Sequence, residues 1–179
     1  MCPIEFPIER TAMNADAFRQ FYDYHFSENH KIWDSYLPLL SDEDFLQDVG
    51  YSYGSVKSQI VHLINVETAW FCELRGVEIP GGRDPASFTD RSSIRAHWDE
   101  VEGSMRAYLA GLRDEMLFLK PFPGEDENLT VWQVLLHVVN HGTDHRAQLL
   151  RMMSDLGVRT GPQDFVFYAY EHSETGKND

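Results

Sequence analysis

Residues 137–150, HVVNHGTDHRAQLL, place His137, His141 and His145 four residues apart in a segment that otherwise has helical periodicity. Each residue turns an α-helix by about 100°, so i and i+4 lie about 40° apart on one face. Measured from His145, the residues Val134, Val138, His141, Leu149 and Met152 fall within roughly 40°, which marks the core-facing seam. His137 lies roughly 80° away, on a flank shared with Asp144, Gln148 and Asp155. Burying two stacked imidazoles costs about a few kcal/mol of desolvation unless both find partners. One divalent cation at about 2.0–2.1 Å satisfies both. Hydrogen bonds to other core side chains are the competing account.

A third ligand has to come from another helix. His62, in SQIVHLINVETAW, lies at the edge of an apolar stripe of Val56, Ile60, Leu63, Val66, Trp70 and Leu74. His25, among Tyr22, Tyr24 and Phe26, competes with it, while His30, His97 and His172 read as solvated or local. A three-histidine site with an open position makes a bound thiol or water acidic enough to ionise near neutral pH. With a thiol the outcome is attack on an electrophile; with water it is hydrolysis. A general base would serve either reaction, and the flank offers His137, Asp144 and Gln148. His137 suits the role by pKa, with an outer hydrogen-bonding or solvated role as its alternative, so His137 and Gln148 stand as the catalytic expectation. If Gln148 or Glu73 closed the coordination shell instead, the metal would be a structural staple.

The elements that must position these groups are helical, with no internal repeat and almost no alternating apolar run. The first helix is expected over about residues 16–37, stopping near Pro38, with Ser41 capping a short acidic turn, SDEDF. The second runs over about 56–75 and is closed by Gly76; a loop rich in Gly, Pro and Asp follows. The third begins near Asp90 and covers RSSIRAHWDEVEGSMRAYLAGL, followed by the loop KPFPGEDEN. The fourth has a T-x-x-Q capping box, Thr130 with Gln133, spans about 131–156 and ends at Gly157. Four long helices with one apolar stripe each imply an all-α four-helix bundle, with the apolar centre of RTGPQDFVFYAYEHSETGKND docked on it before a solvated end.

Length and composition agree: 179 residues, 42% hydrophobic and 25% charged, fit one domain with a real core. The net charge of −14 opposes binding to nucleic acid or an anionic membrane surface, since the 15 Lys and Arg are scattered. No apolar run approaches the roughly 20 residues of a membrane span, and the opening MCPIEFPIERTAMNADAF lacks a secretory pattern. Cys2 and Cys72 form no disulfide framework, which fits a reducing, cytoplasmic setting.

Two charges fall on apolar arcs, Glu67 on the second helix and Arg146 on the fourth. The economical expectation pairs Arg146 with Glu67 or with Asp164 of the tail; recognition of a substrate carboxylate is the alternative. Trp132, Leu136, Val139 and Leu150 widen the apolar arc of the fourth helix beyond what one core face needs, which suggests a homodimer interface.

HLINVETAW, followed much later by HVVNHGTDHRAQL, with SDEDF before the first and GPQDF after the second, resembles the DinB/YfiT-like superfamily of metalloenzymes over about residues 16–170. In that family one histidine of the second helix and two of the last hold the metal, which carries over to His62, His141 and His145. Ala147 stands where the family often has Gly, a small-for-small change that leaves the ligands untouched. The resemblance implies a four-helix bundle, often dimeric, and thiol-dependent chemistry: S-transferases that couple a low-molecular-weight thiol to an electrophile, or a mycothiol-dependent isomerase. The expectation is therefore a metal-dependent enzyme of S-transferase type acting on a small molecule. A metal-dependent hydrolase and a noncatalytic bundle stapled by its metal are the alternatives. Zinc is the expected ion, with nickel or iron also suited to imidazole.

Overall fold

The computed structural model describes residues 14–173, and among these the regular structure is helical with no strand. Asn14 caps α1 (Ala15–Lys31) by accepting from the Ala17 amide. The chain then widens into a π-helical stretch, Ile32–Tyr36, and tightens into a 3-10 turn, Leu37–Leu39, across Pro38. The expected single helix to residue 37 is thus broken in type. Ile32 and Leu37 are both buried, and a spacing of five shares a face in a π turn but not in an α turn.

Ser41 caps the short α2 (Asp42–Leu46), and Ser55 caps α3 (Val56–Arg75), which ends at Gly76 in the left-handed region with φ 65°. Asp90 and Ser93 form a reciprocal capping box for α4 (Arg91–Ala110). At the start of α5 (Val131–Asp155), Gln133 Oε1 accepts from both the amide and the hydroxyl of Thr130. The last element is α6 (Phe165–Ser173). Two long connections, 77–90 and 111–130, contain only 3-10 turns.

α3 packs against both α5 and α4, and α1 packs against the same two. Between them lie fully buried Tyr22, Ile60, Leu63, Leu135, Leu149 and Met152, each contributing about 1.5–3 kcal/mol of burial. Part of the wide apolar arc of α5 is covered within the chain: Val139 is buried, Trp132 and Leu150 pack against the core, and Leu136 stays 41% exposed. Phe165 of α6 sets its ring 5.5 Å from that of Phe21 and 5.2 Å from that of Tyr24, while Val166, Phe167 and Tyr170 remain about half exposed or more. No helix of the described residues is long and apolar enough to cross a membrane. Cys72 is buried and free; Cys2 and the expected solvated end after Ser173 lie outside the described residues.

A buried polar relay ties α1, α3, α4 and α5 together. Arg146 donates from Nη1 to His25 Nδ1 and to Asn29 Oδ1, both at 2.9 Å. His25 Nε2 then lies 2.9 Å from Glu67 Oε1, and Glu67 Oε2 accepts from the Trp98 indole at 3.1 Å. Arg146 therefore reaches Glu67 only through His25, which corrects the direct pair expected from the sequence. Its contact with the tail is Gln163 Oε1, at 3.2 Å, in place of Asp164. The reason is steric: a Cβ at Gly142 would lie 2.4 Å from His25 Cε1, so the missing side chain makes room for the imidazole between the two charges.

Candidate metal centre

α5 presents His141 and His145 from successive turns, and α3, packed beside it, presents His62. One ring nitrogen of each lies within 4.8 Å of the other two, and the group could hold a metal ion. The Nε2 atoms of His62 and His141 are 3.3 Å apart. Two ligands at about 2.0–2.1 Å on one tetrahedral cation are separated by about 3.3 Å, so these two already have the spacing of neighbouring ligands. All three histidines are partly buried, and among the described residues no Asp, Glu or Cys joins them.

Burial, followed by the neighbouring His145, lowers the pKa of both His62 and His141 to about 4. Both rings are therefore neutral at physiological pH, with a lone pair free for a cation. Gln59, fully buried one turn before His62, has its amide nitrogen 2.8 Å from His145 Nδ1. That contact engages Nδ1, and an amide turned to accept from Nδ1–H would free Nε2 of His145 for a cation.

The loop before α3 closes one side. Tyr53 stacks on His62 with ring centroids 3.9 Å apart and stays 48% exposed. Its neighbour Ser52, held at φ 52°, places Oγ 2.8 Å from Gln59 Oε1 and also donates to Gln148 Oε1. Gln148 is tied further to Gln59 and Asp144, so its amide forms a polar wall of the site. His137 lies at the rim, exposed, its ring 5.3 Å from Trp70 and 5.8 Å from His141. His25 is buried in the relay, outside the cluster. Glu73, weighed as a closing ligand, sits on α3 about 16 Å of helix rise beyond His62.

Tyr53, Ser52 and Gln59 escaped sequence reasoning. Gln59 carried a signal, a polar residue set among Val56, Ile60 and Leu63. Tyr53 and Ser52 carried none, because loop residues have no periodicity to betray a facing direction.

The chain is similar to the "Protein DinB" of Bacillus subtilis (strain 168), at 24% identity over 173 residues that cover 88% of this chain and 96% of the relative. The profile of the DinB family matches residues 13–177, nearly the whole length, and on that extent of match the chain belongs to the DinB family.

Proposed function

We propose that the protein is a metal-dependent enzyme in which His62, His141 and His145 hold a divalent cation, zinc in the first instance, for thiol S-transferase chemistry on a small molecule. The observation that carries this reading is the convergence of three imidazoles from two helices, with no Asp, Glu or Cys of the described residues joining them. A cation bound there would supply the Lewis acidity that ionises a thiol, or in a hydrolase water, near neutral pH.

The chain's own residues have separable tasks. The desolvated, neutral rings of His62 and His141 stay available as ligands, and Gln59 orients His145. Tyr53 shields one face of His62 from water, and the exposed imidazole of His137 is placed at the rim to accept a proton. Gln148, on the same flank of α5 as His137 but about three turns further along, lines the site and orients the incoming group. The reading takes the chain as one domain, a four-helix bundle of α1, α3, α4 and α5 with the tail docked on α1. The mutual packing of those helices and the Phe165 contacts support it. It further takes the protein as a cytoplasmic homodimer, with half-exposed Leu136 and the open face of α6 as the apolar surface available for pairing.

Elemental analysis of protein purified without an affinity tag tests the centre. Wild type should carry a divalent metal and His141→Ala should lose it; equal metal content in both would overturn the assignment. Low-molecular-weight thiols should then perturb the absorption of cobalt-substituted protein, and an unchanged spectrum would favour hydrolysis.

A further inference from the structure

On α3, positions 62, 65, 66, 69, 70 and 73 follow the spacing of a single helix face, so the stripe that begins with His62 continues as Asn65, Val66, Ala69, Trp70 and Glu73. Beyond His62 that stripe forms the floor of a cavity of about 330 Å³, completed by Ile79 and Asp126. This is within the size range of small-molecule sites. The cavity starts about one turn from the histidine cluster, and Trp70 connects the two through its contact with His137.

The walls are built. Asn65 makes two hydrogen bonds of 2.9 Å to the backbone of Arg83, which hold the 77–90 connection against α3. Val66, Ala69, Trp70 and Ile79 supply apolar surface. The far end carries the carboxylates of Glu73 and Asp126, and no Lys or Arg lines the cavity. Glu73 Oε2 is buried without a hydrogen-bond partner. Burial, followed by the nearby Asp126, raises the pKa of Glu73, as befits a carboxylate with no cation beside it in the cavity lining. An apolar trough ending in two acids, with no basic residue in its lining to compensate them, is complementary to a hydrophobic amine.

We propose that this cavity binds the distal end of the substrate, an ammonium group held by Glu73 and Asp126 with its apolar body on Trp70, Val66 and Ile79. The inference rests on the metal-centre reading only in assigning the reacting end to the histidine cluster. It narrows the substrate class to electrophiles or thiols bearing a primary or secondary ammonium remote from the reacting atom.

The test titrates 2-phenylethylammonium and the anion 3-phenylpropionate, of like shape, into wild-type protein, following the indole N–H resonance of Trp70 by NMR. The ammonium should bind at least tenfold more tightly than the anion. Glu73→Gln and Asp126→Asn should each weaken it severalfold, and the pair together should abolish the preference. Equal or reversed preference in wild type overturns the proposal without appeal to any variant. Repeating the titration in His141→Ala separates the two readings. Ammonium binding in a wild type that carries no metal leaves the cavity assignment standing while the metal centre falls. A metal-loaded wild type indifferent to charge removes this proposal alone.

Discussion

Arg146 Nη1 donates to His25 Nδ1 at 2.9 Å, and that contact determines which nitrogen of His25 carries the proton. With Nδ1 accepting, the proton sits on Nε2 and is donated to Glu67. A neutral imidazole thus separates a buried guanidinium from a buried carboxylate and satisfies both. Desolvation and Arg146 both lower the pKa of His25, consistent with the neutral form.

Arg146→Lys should be costly. An ammonium cannot reach His25, Asn29, Thr143 and Gln163 together as the guanidinium does. We expect a loss of about 2–4 kcal/mol, comparable to breaking other buried charge networks, read from the urea unfolding midpoint. An unmoved midpoint would show that the relay contributes nothing to stability.

Gly142→Ala sets two effects against each other. Helix propensity favours Ala by about 1 kcal/mol. The added methyl, however, would meet His25 Cε1 at 2.4 Å and Arg146 Nη1 at 3.1 Å, and overpacking of a rigid core costs about 1–3 kcal/mol. The steric term should prevail because His25 is held on both sides, so the variant should melt below wild type. A raised melting temperature would mean that His25 can yield.

These two cases show what local spacing can and cannot reveal. The helix ends were legible because Ser55, Asp90, Thr130 and Gly157 act on backbone within a few residues of themselves. The His141/His145 pair was legible for the same reason, being a property of one helix. The choice between His62 and His25 was not, since it depends on which side chains from different helices meet. Only the family resemblance favoured His62 before the structure brought it to the pair. The π turn at Ile32–Tyr36 had no cue in propensity, because it answers to the packing of Ile32 and Leu37. The expected Arg146–Glu67 pair failed for a related reason: a third helix inserts His25 between partners that the helical wheels place face to face.

Gln59 offers a test of ligand orientation. As placed, the Gln59 amide nitrogen faces His145 Nδ1; a His145 that coordinates through Nε2 carries its proton on Nδ1, so the amide must turn its oxygen toward that atom to accept it. Gln59→Leu should weaken zinc binding by about 10- to 100-fold in competition with a chromophoric chelator, whereas Gln59→Glu, which keeps an acceptor, should retain most of it. Equal weakening by both would reduce Gln59 to a packing role.

Acid should destabilise the metal-free protein in a defined window. His62 and His141 have pKa values lowered from 6.5 to about 4, so as pH falls the unfolded chain binds protons before the folded one does. Their contribution is fully present above about pH 6.5 and is lost as pH drops toward about 4. Chemical denaturation at stepped pH should show this decline, with a shallower slope in His62→Ala. A profile flat from pH 7 to about 4 would contradict the desolvation of these rings.

The histidine pair at 141 and 145 and the pair at 142 and 146, which contacts the relay, are the same two turns of α5 displaced by one residue, or about 100° of azimuth. Rolling that helix about its axis would lift the imidazoles from His62 and pull the guanidinium from His25 in one movement. The angular setting of the candidate centre is therefore clocked by a lock on the far side of the same cylinder, so damage to that lock should misalign the donors without touching them.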